Sequence, residues 1–170
     1  MSDTFHLRVT VNGRLYERDV EPRRLLVDFL RHDLGLHGTH VGCEQGVCGM
    51  CTVLLDGEPV KSCVMIAPQA QGREIRTVES LAAGDELHPV QRAFIEGHGL
   101  QCGYCTPAFM MLAVSLAEHG EHPVGDELRE CLAGTLCRCT GYQQIVSSVE
   151  SFLAGSSTSG DEPGPGGRGE

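Results

Sequence analysis

Gly42-Cys43-Glu44-Gln45-Gly46-Val47-Cys48-Gly49-Met50-Cys51 is the stretch on which the reading of this 170-residue chain turns. Its three cysteines are separated by four and then two residues, and Cys63 follows after eleven more. Gly38, Gly42, Gly46 and Gly49 punctuate the run. Glycines permit unusual backbone angles and close approach, so the run is a tight loop rather than a helix or strand. Three thiols on such a loop and a fourth from a separate strand can wrap a small metal centre. The flanking patterns supply that strand. Phe5, Leu7, Val9 and Val11 alternate with polar residues, as a half-buried strand does. Asn12-Gly13 is a strong hairpin turn signal, and Leu15 to Val20 is the returning strand. Pro22 opens a short helix with Leu25, Leu26, Phe29 and Leu30 on one face, ending near Gly35. Beyond the loop, Thr52 to Leu55 and Val60 to Ile66 read as strands about an Asp56-Gly57 turn, and Ile75 to Val78 as a last short strand. Two hairpins around one helix predict a small α+β domain over residues 4–80.

The spacing of Cys43, Cys48, Cys51 and Cys63 is that of plant-type [2Fe–2S] ferredoxins. Ferric iron needs thiolate donors, and amides of the glycine-rich loop can point at cluster sulfurs and tune the potential. Structural zinc also takes four cysteines, but as two close pairs, which this triple fits poorly.

After Ala82-Ala83-Gly84-Asp85, which reads as a linker, the period changes. Val90, Phe94 and Ile95 share a helical face, and Pro107 suits a first helical turn with Ala108 to His119 behind it. Asp126 is placed to cap a helix bearing Leu128 and Leu132, and Tyr142 to Leu153 reads as a fourth helix. Four short helices over residues 86–154 predict a compact bundle. From Gly155 to Glu170 the chain is mostly Gly, Ser, Pro and acid, the composition of a disordered tail.

This half carries Cys102 and Cys105 as C-x-x-C, and Cys137 and Cys139 as C-x-C, with 31 residues between the pairs. Spacing alone leaves a redox dithiol, a zinc site and an iron–sulfur site open. The surrounding residues are more specific. Gln101-Cys102-Gly103-Tyr104-Cys105-Thr106-Pro107 and Cys137-Arg138-Cys139-Thr140-Gly141-Tyr142, taken with the first loop, resemble the small iron–sulfur subunit of molybdenum hydroxylases, the xanthine dehydrogenase and aerobic carbon monoxide dehydrogenase family. The resemblance runs in order over about residues 4 to 154. Met50 stands where the family usually has Ala, and Ala108 where it usually has Gly.

The resemblance implies an N-terminal β-grasp, plant-type ferredoxin domain followed by a C-terminal four-helix bundle. It implies one cluster on Cys43, Cys48, Cys51 and Cys63, facing FAD on a medium subunit. It implies a second on Cys102, Cys105, Cys137 and Cys139, next to a molybdenum–pterin cofactor on a large subunit. Gln101 and Cys139 would approach the pterin. Electrons would then leave substrate at molybdenum, cross both clusters and reach FAD, within a heterotrimer or its dimer. Substrate chemistry would sit on the large subunit, so purines, N-heterocycles, aldehydes and carbon monoxide all remain open.

The formal net charge of −10 argues against nucleic acid, whose phosphates call for clustered Lys and Arg. No run approaches the roughly 20 apolar residues of a membrane span. Arg23-Arg24 ahead of Leu25-Leu26-Val27 faintly resembles a twin-arginine signal, but Asp28 and Arg31-His32-Asp33 break it, so the expectation is cytoplasmic. A cytosolic chain with nine cysteines more often binds metal than forms disulfides. The ninth, Cys131, reads as a buried thiol from its helical context. Met110 and Met111 read as core, nearly all of the eight histidines as surface, and Gly134 and Gly141 as helix ends.

Overall fold

A computed structural model describes residues 4–157. Its first half is a five-stranded mixed sheet of β1 (Phe5–Val11), β2 (Arg14–Val20), β3 (Thr52–Leu55), β4 (Glu58–Lys61) and β5 (Glu74–Arg76), in the order β2-β1-β5-β3-β4. β1 and β2 pair antiparallel from Phe5 opposite Val20 to Val11 opposite Arg14. The turn between them holds Asn12 at φ 51° and Gly13 at φ 75°, both left-handed, which is why Asn-Gly closes a hairpin matching the strand twist. The last strand slots into the middle, parallel to β1 and antiparallel to β3. Helix α1 (Leu26–Asp28), continued by a wider π turn over Phe29–Asp33, crosses the sheet. Leu7, Val9, Val11, Val53, Leu55 and Ile75 meet Leu26, Phe29 and Leu30 in one apolar core, the arrangement of a β-grasp.

Two local expectations shift. The helix does not open at Pro22: Leu25 is extended and bridges to Ile66, so helical geometry starts only at Leu26. The strand foreseen over Val60 to Ile66 stops at Lys61, and a 3₁₀ turn over Ser62–Val64 follows. There the Ser62 amide and hydroxyl both donate to the Cys51 carbonyl, at 3.2 and 2.7 Å, turning the chain so that Cys63 lies beside Cys51.

The second half packs α2 (Pro89–Glu96), α3 (Thr106–Glu118), α4 (Gly125–Leu132) and α5 (Gln143–Ser157). Phe94, Phe109, Met111, Leu128 and Ile145 fill their shared core, Met110 being buried with them. α4 is not capped by Asp126. It starts one residue earlier, where the Gly125 amide donates to the Glu150 carboxylate on α5 at 2.9 Å. α5 runs to Ser157, past the boundary expected at 154, and residues 158–170 of the foreseen tail lie outside the described residues. α3 also joins the halves. Ser115 donates to the Gly57 carbonyl at 3.0 Å, and Arg76 forms a two-pronged ion pair with Glu118. Leu54 of β3 packs into the helical core. No helix among the described residues is long and apolar enough to cross a membrane.

Candidate metal centres

The first four cysteines form two pairs, one on the glycine-rich loop and one at the end of the sheet. Cys51 immediately precedes β3 and Cys63 lies in the turn after β4, so both are anchored by the ladder and are only 2% and 4% exposed. The Cys63 amide donates to Cys51 Sγ at 3.4 Å. Burial pushes the Cys51 thiol up to about 11; the Cys63 amide opposes this and the Cys63 thiol adds to it. Cys43 and Cys48 form the outer pair. Cys43 Sγ accepts from the Cys48 amide at 3.3 Å and the Gln45 amide at 3.4 Å. These donors, the Cys48 amide first, bring Cys43 down to about 6. Amide donors that stabilise a thiolate are what a cluster's terminal sulfurs require. Gly42 is needed for contact alone, since a Cβ there would lie 3.0 Å from Cys48 Sγ.

The second four meet at the N-terminus of α3. Cys105 directly precedes that helix, is buried, and is pushed up to about 12 by burial and then by Cys137. Cys137 is itself lowered: burial opposes ionisation, but the Thr140 hydroxyl and the Thr140 and Cys139 amides outweigh it. Tyr142 fixes the turn by accepting from the Cys137 amide through its hydroxyl at 2.9 Å. Cys102 and Cys139 are exposed and adjacent, and Cys139 is raised by its contact with Cys102.

The eight side chains therefore arrange as four sulfur pairs, two per site: Cys43 with Cys48, Cys51 with Cys63, Cys105 with Cys137, and Cys102 with Cys139. None of these eight forms a disulfide. Among the described residues no three His, Cys, Asp or Glu side chains converge to hold a single metal ion. Two thiol pairs per site suit a two-iron rhomb, in which each iron takes one pair. A cavity of about 230 Å³ lies among Cys48, Cys102, Cys105, Cys137 and Cys139, and the buried Thr106 hydroxyl beside Cys105 lacks a hydrogen-bond partner. The residues present fit a [2Fe–2S] group at each site.

The two loops touch. The Leu136 amide donates to the Cys48 carbonyl at 2.9 Å, and Gly49 packs on Gly134 and Thr135. On another edge, His40 stacks on Tyr104. Neither contact was foreseen from sequence, because no periodicity or spacing links residues 40 and 104. The aid of Tyr142 was also missed, although it closes the quoted Cys137–Tyr142 run. Gln101 is exposed beside Cys102. Cys131 is exposed on α4, not buried as its helical context suggested: Leu128 and Leu132 take the inward face, and Cys131 falls between them among Glu127, Glu130 and Glu121.

Residues 9–88 match the model of the 2Fe-2S iron-sulfur cluster binding domain, and residues 77–150 that of the [2Fe-2S] binding domain. The chain is 54% identical over 152 residues to the 6-hydroxypseudooxynicotine dehydrogenase complex subunit beta of Paenarthrobacter nicotinovorans, covering 88% of this chain and 95% of that one. It is 53% identical to caffeine dehydrogenase subunit gamma of Pseudomonas sp. (strain CBB1), covering 85% and 89%. It superposes on a chain of quinoline 2-oxidoreductase from Pseudomonas putida 86 with a TM-score of 0.86 and 43% identity, covering 94% and 99%. The chain belongs to the small iron–sulfur subunits of the molybdenum hydroxylases. As such a subunit it transfers electrons within an oxidoreductase complex and carries two [2Fe–2S] domains, while molybdenum–pterin and FAD are carried by partners. Within this family frame Met50 is notable. Where Ala is usual, its buried side chain joins the core of the helical half and ties the first loop to it.

Proposed function

We propose that Cys43, Cys48, Cys51 and Cys63 hold one [2Fe–2S] cluster and that Cys102, Cys105, Cys137 and Cys139 hold the other, in domains spanning residues 4–80 and about 86–154. The observation that carries this is the four-pair arrangement of the thiols. Each cluster, when bound, supplies a one-electron relay. The chain's own residues fix its place: Cys51, Cys63 and Cys105 anchor the sites in buried structure, while Cys102 and Cys139 lie at the surface, where a partner's cofactor can approach. The exposed Gln101, Tyr104 and Leu136 rim that second site, and this supports docking to a large molybdenum-binding subunit. The exposed Val47 and Val64 rim the first, and this supports a medium FAD-binding subunit there. The reading is a cytoplasmic heterotrimer, or its dimer, with electrons moving from the molybdenum side to the FAD side.

The relatives above 50% identity are named for nicotine-derived and caffeine substrates, and the quinoline enzyme adds a third nitrogen aromatic. We infer that the complex oxidises N-heteroaromatic compounds rather than aldehydes. Iron analysis and low-temperature electron paramagnetic resonance test the clusters, with two distinct signals expected. A colourless zinc-loaded chain would sink the assignment. Screening the purified complex with pyridine, quinoline, purine and aldehyde compounds tests the substrate class; turnover of aldehydes alone would overturn it.

A further inference from the structure

The first loop and the second are tied by a contact that includes no cysteine. Tyr104 lies between Cys102 and Cys105, and His40 lies three residues before Cys43. Their rings stack with centroids 4.5 Å apart and planes inclined by 16°. His40 Nδ1 is 2.7 Å from the Tyr104 carbonyl oxygen. A carbonyl only accepts, so Nδ1 carries the proton and donates, which fixes the ring's orientation. In return the Tyr104 hydroxyl donates to the Val41 carbonyl at 2.7 Å. Two hydrogen bonds of opposite direction and one stack therefore tie residues 40–41 to the Cys102–Cys105 loop.

Core packing does not account for this. Tyr104 is 47% exposed and His40 is half-buried. An exposed ring held in one rotamer loses freedom that its own contacts must offset. The tie also has a counterpart. At a second edge the Leu136 amide meets the Cys48 carbonyl, and Gly49 lies against Gly134 and Thr135. Thiols of both loops line the cavity that Tyr104 and Leu136 also border. The two ties grip the second site's loops from opposite edges, His40 and Val41 on the Cys102–Cys105 loop and Cys48 and Gly49 on the segment leading to Cys137.

We propose that His40 and Tyr104 are a positioning pair that holds the two cysteine sites at fixed spacing and so sets the electronic coupling between them. Neither residue is a ligand. The pair acts through distance, because electron transfer and dipolar coupling between two centres both fall steeply as they separate. The proposal rests on the assignment of a cluster to each site.

The test uses the full chain in its assembled complex. Tyr104→Phe deletes only the hydroxyl bond to Val41. His40→Ala deletes the stack and the bond to the Tyr104 carbonyl. His40→Asn restores a donor near the Nδ1 position. The readouts are iron per chain, the magnetic interaction between the two reduced centres, and the rate of electron transfer between them. Full iron content is expected throughout. The magnetic interaction should weaken and the transfer rate fall severalfold in Tyr104→Phe and further in His40→Ala, with partial recovery in His40→Asn. Full iron with unchanged interaction and rate in Tyr104→Phe and His40→Ala would overturn the pair and leave the cluster assignment standing. Should His40→Ala fail to load iron, Tyr104→Phe decides alone: a slower rate supports the pair and an unchanged rate overturns it. An unaltered complex lacking one of the two centres would instead overturn the assignment beneath it.

Discussion

The backbone amide of Leu136 donates to the carbonyl oxygen of Cys48 across 2.9 Å. Leu136 directly precedes Cys137, so a single hydrogen bond separates a thiol-bearing residue of one site from the neighbour of a thiol-bearing residue of the other. Gly49, next along the first loop, makes that approach possible. Its φ is +76°, and a Cβ there would lie 2.4 Å from the Gly134 carbonyl oxygen. Backbone on the far side cannot move aside as a flexible side chain would. Gly49→Ala therefore combines left-handed strain with a clash, costing about 2–4 kcal/mol by the usual size of each effect. Gly57→Ala is the control, since Gly57 has φ +90° and nothing within 4 Å of its added Cβ, so strain alone acts. Thermal melts and iron content should show Gly49→Ala well below Gly57→Ala. Equal losses would mean that the loops do not need this contact.

Cys131 provides the opposite case, a cysteine whose removal costs little. It is exposed on α4, and its thiol is raised by partial burial and by Glu127 and Glu121. The other eight cysteines already make up two sets of four, and Cys131 belongs to neither. Cys131→Ser should keep both centres and change stability by about 0.5 kcal/mol or less, the usual range for surface substitutions. Loss of one paramagnetic signal would show that a ligand has been misassigned.

What the sequence revealed and what it hid follow from range. Alternation in Phe5–Val11 and the Asn12-Gly13 turn are local signals, and they read correctly. Boundaries failed where a distant partner decides them. Leu25 is extended because Ile66 pairs with it, β4 ends at Lys61 because Ser62 turns back to Cys51, and α4 starts at Gly125 because Glu150 on α5 caps it. Cys131 was misjudged because a helical neighbourhood does not say which side of the helix a residue takes. The His40–Tyr104 contact spans 64 positions and leaves no trace in local pattern.

His88 makes the helical half sensitive to acid. As the N-cap of α2 it accepts from the Val90 amide through Nδ1 at 3.2 Å, and its ring lies against Phe152. Burial holds its pKa below the ordinary histidine value; Glu118 opposes this, and Arg92 and Arg76 reinforce it. The folded value is thus lower than the unfolded one, near 6.5. Between the two the unfolded chain binds more protons, so this contribution to stability is present above about pH 6.5 and fades as pH falls through the folded value. His88→Asn keeps a cap acceptor without the titration. Melting temperatures followed from about pH 7.5 down to 5.5 should fall less in His88→Asn than in the native chain. Parallel curves would assign the acid response to other groups.

Gln101 tests the partner side of the second site. It is exposed immediately before Cys102, whose thiol pairs with the exposed Cys139, so these three residues present one surface. An amide offers both donors and an acceptor, and a pterin edge bears both in return. If the large subunit covers this surface, Gln101→Leu leaves buried cofactor groups unpaired, a loss of roughly 1–3 kcal/mol. The chain itself loses little, since an exposed side chain is being replaced. The expected outcome is an isolated chain with normal iron content and melting temperature, but a complex that retains less molybdenum cofactor or reduces its nearer cluster more slowly when mixed with substrate. Rapid-mixing spectroscopy that follows each centre separately, with molybdenum analysis on the same samples, distinguishes these outcomes. Unchanged molybdenum content together with an unchanged first transfer rate would remove Gln101 from the contact and leave Cys139 as its remaining candidate.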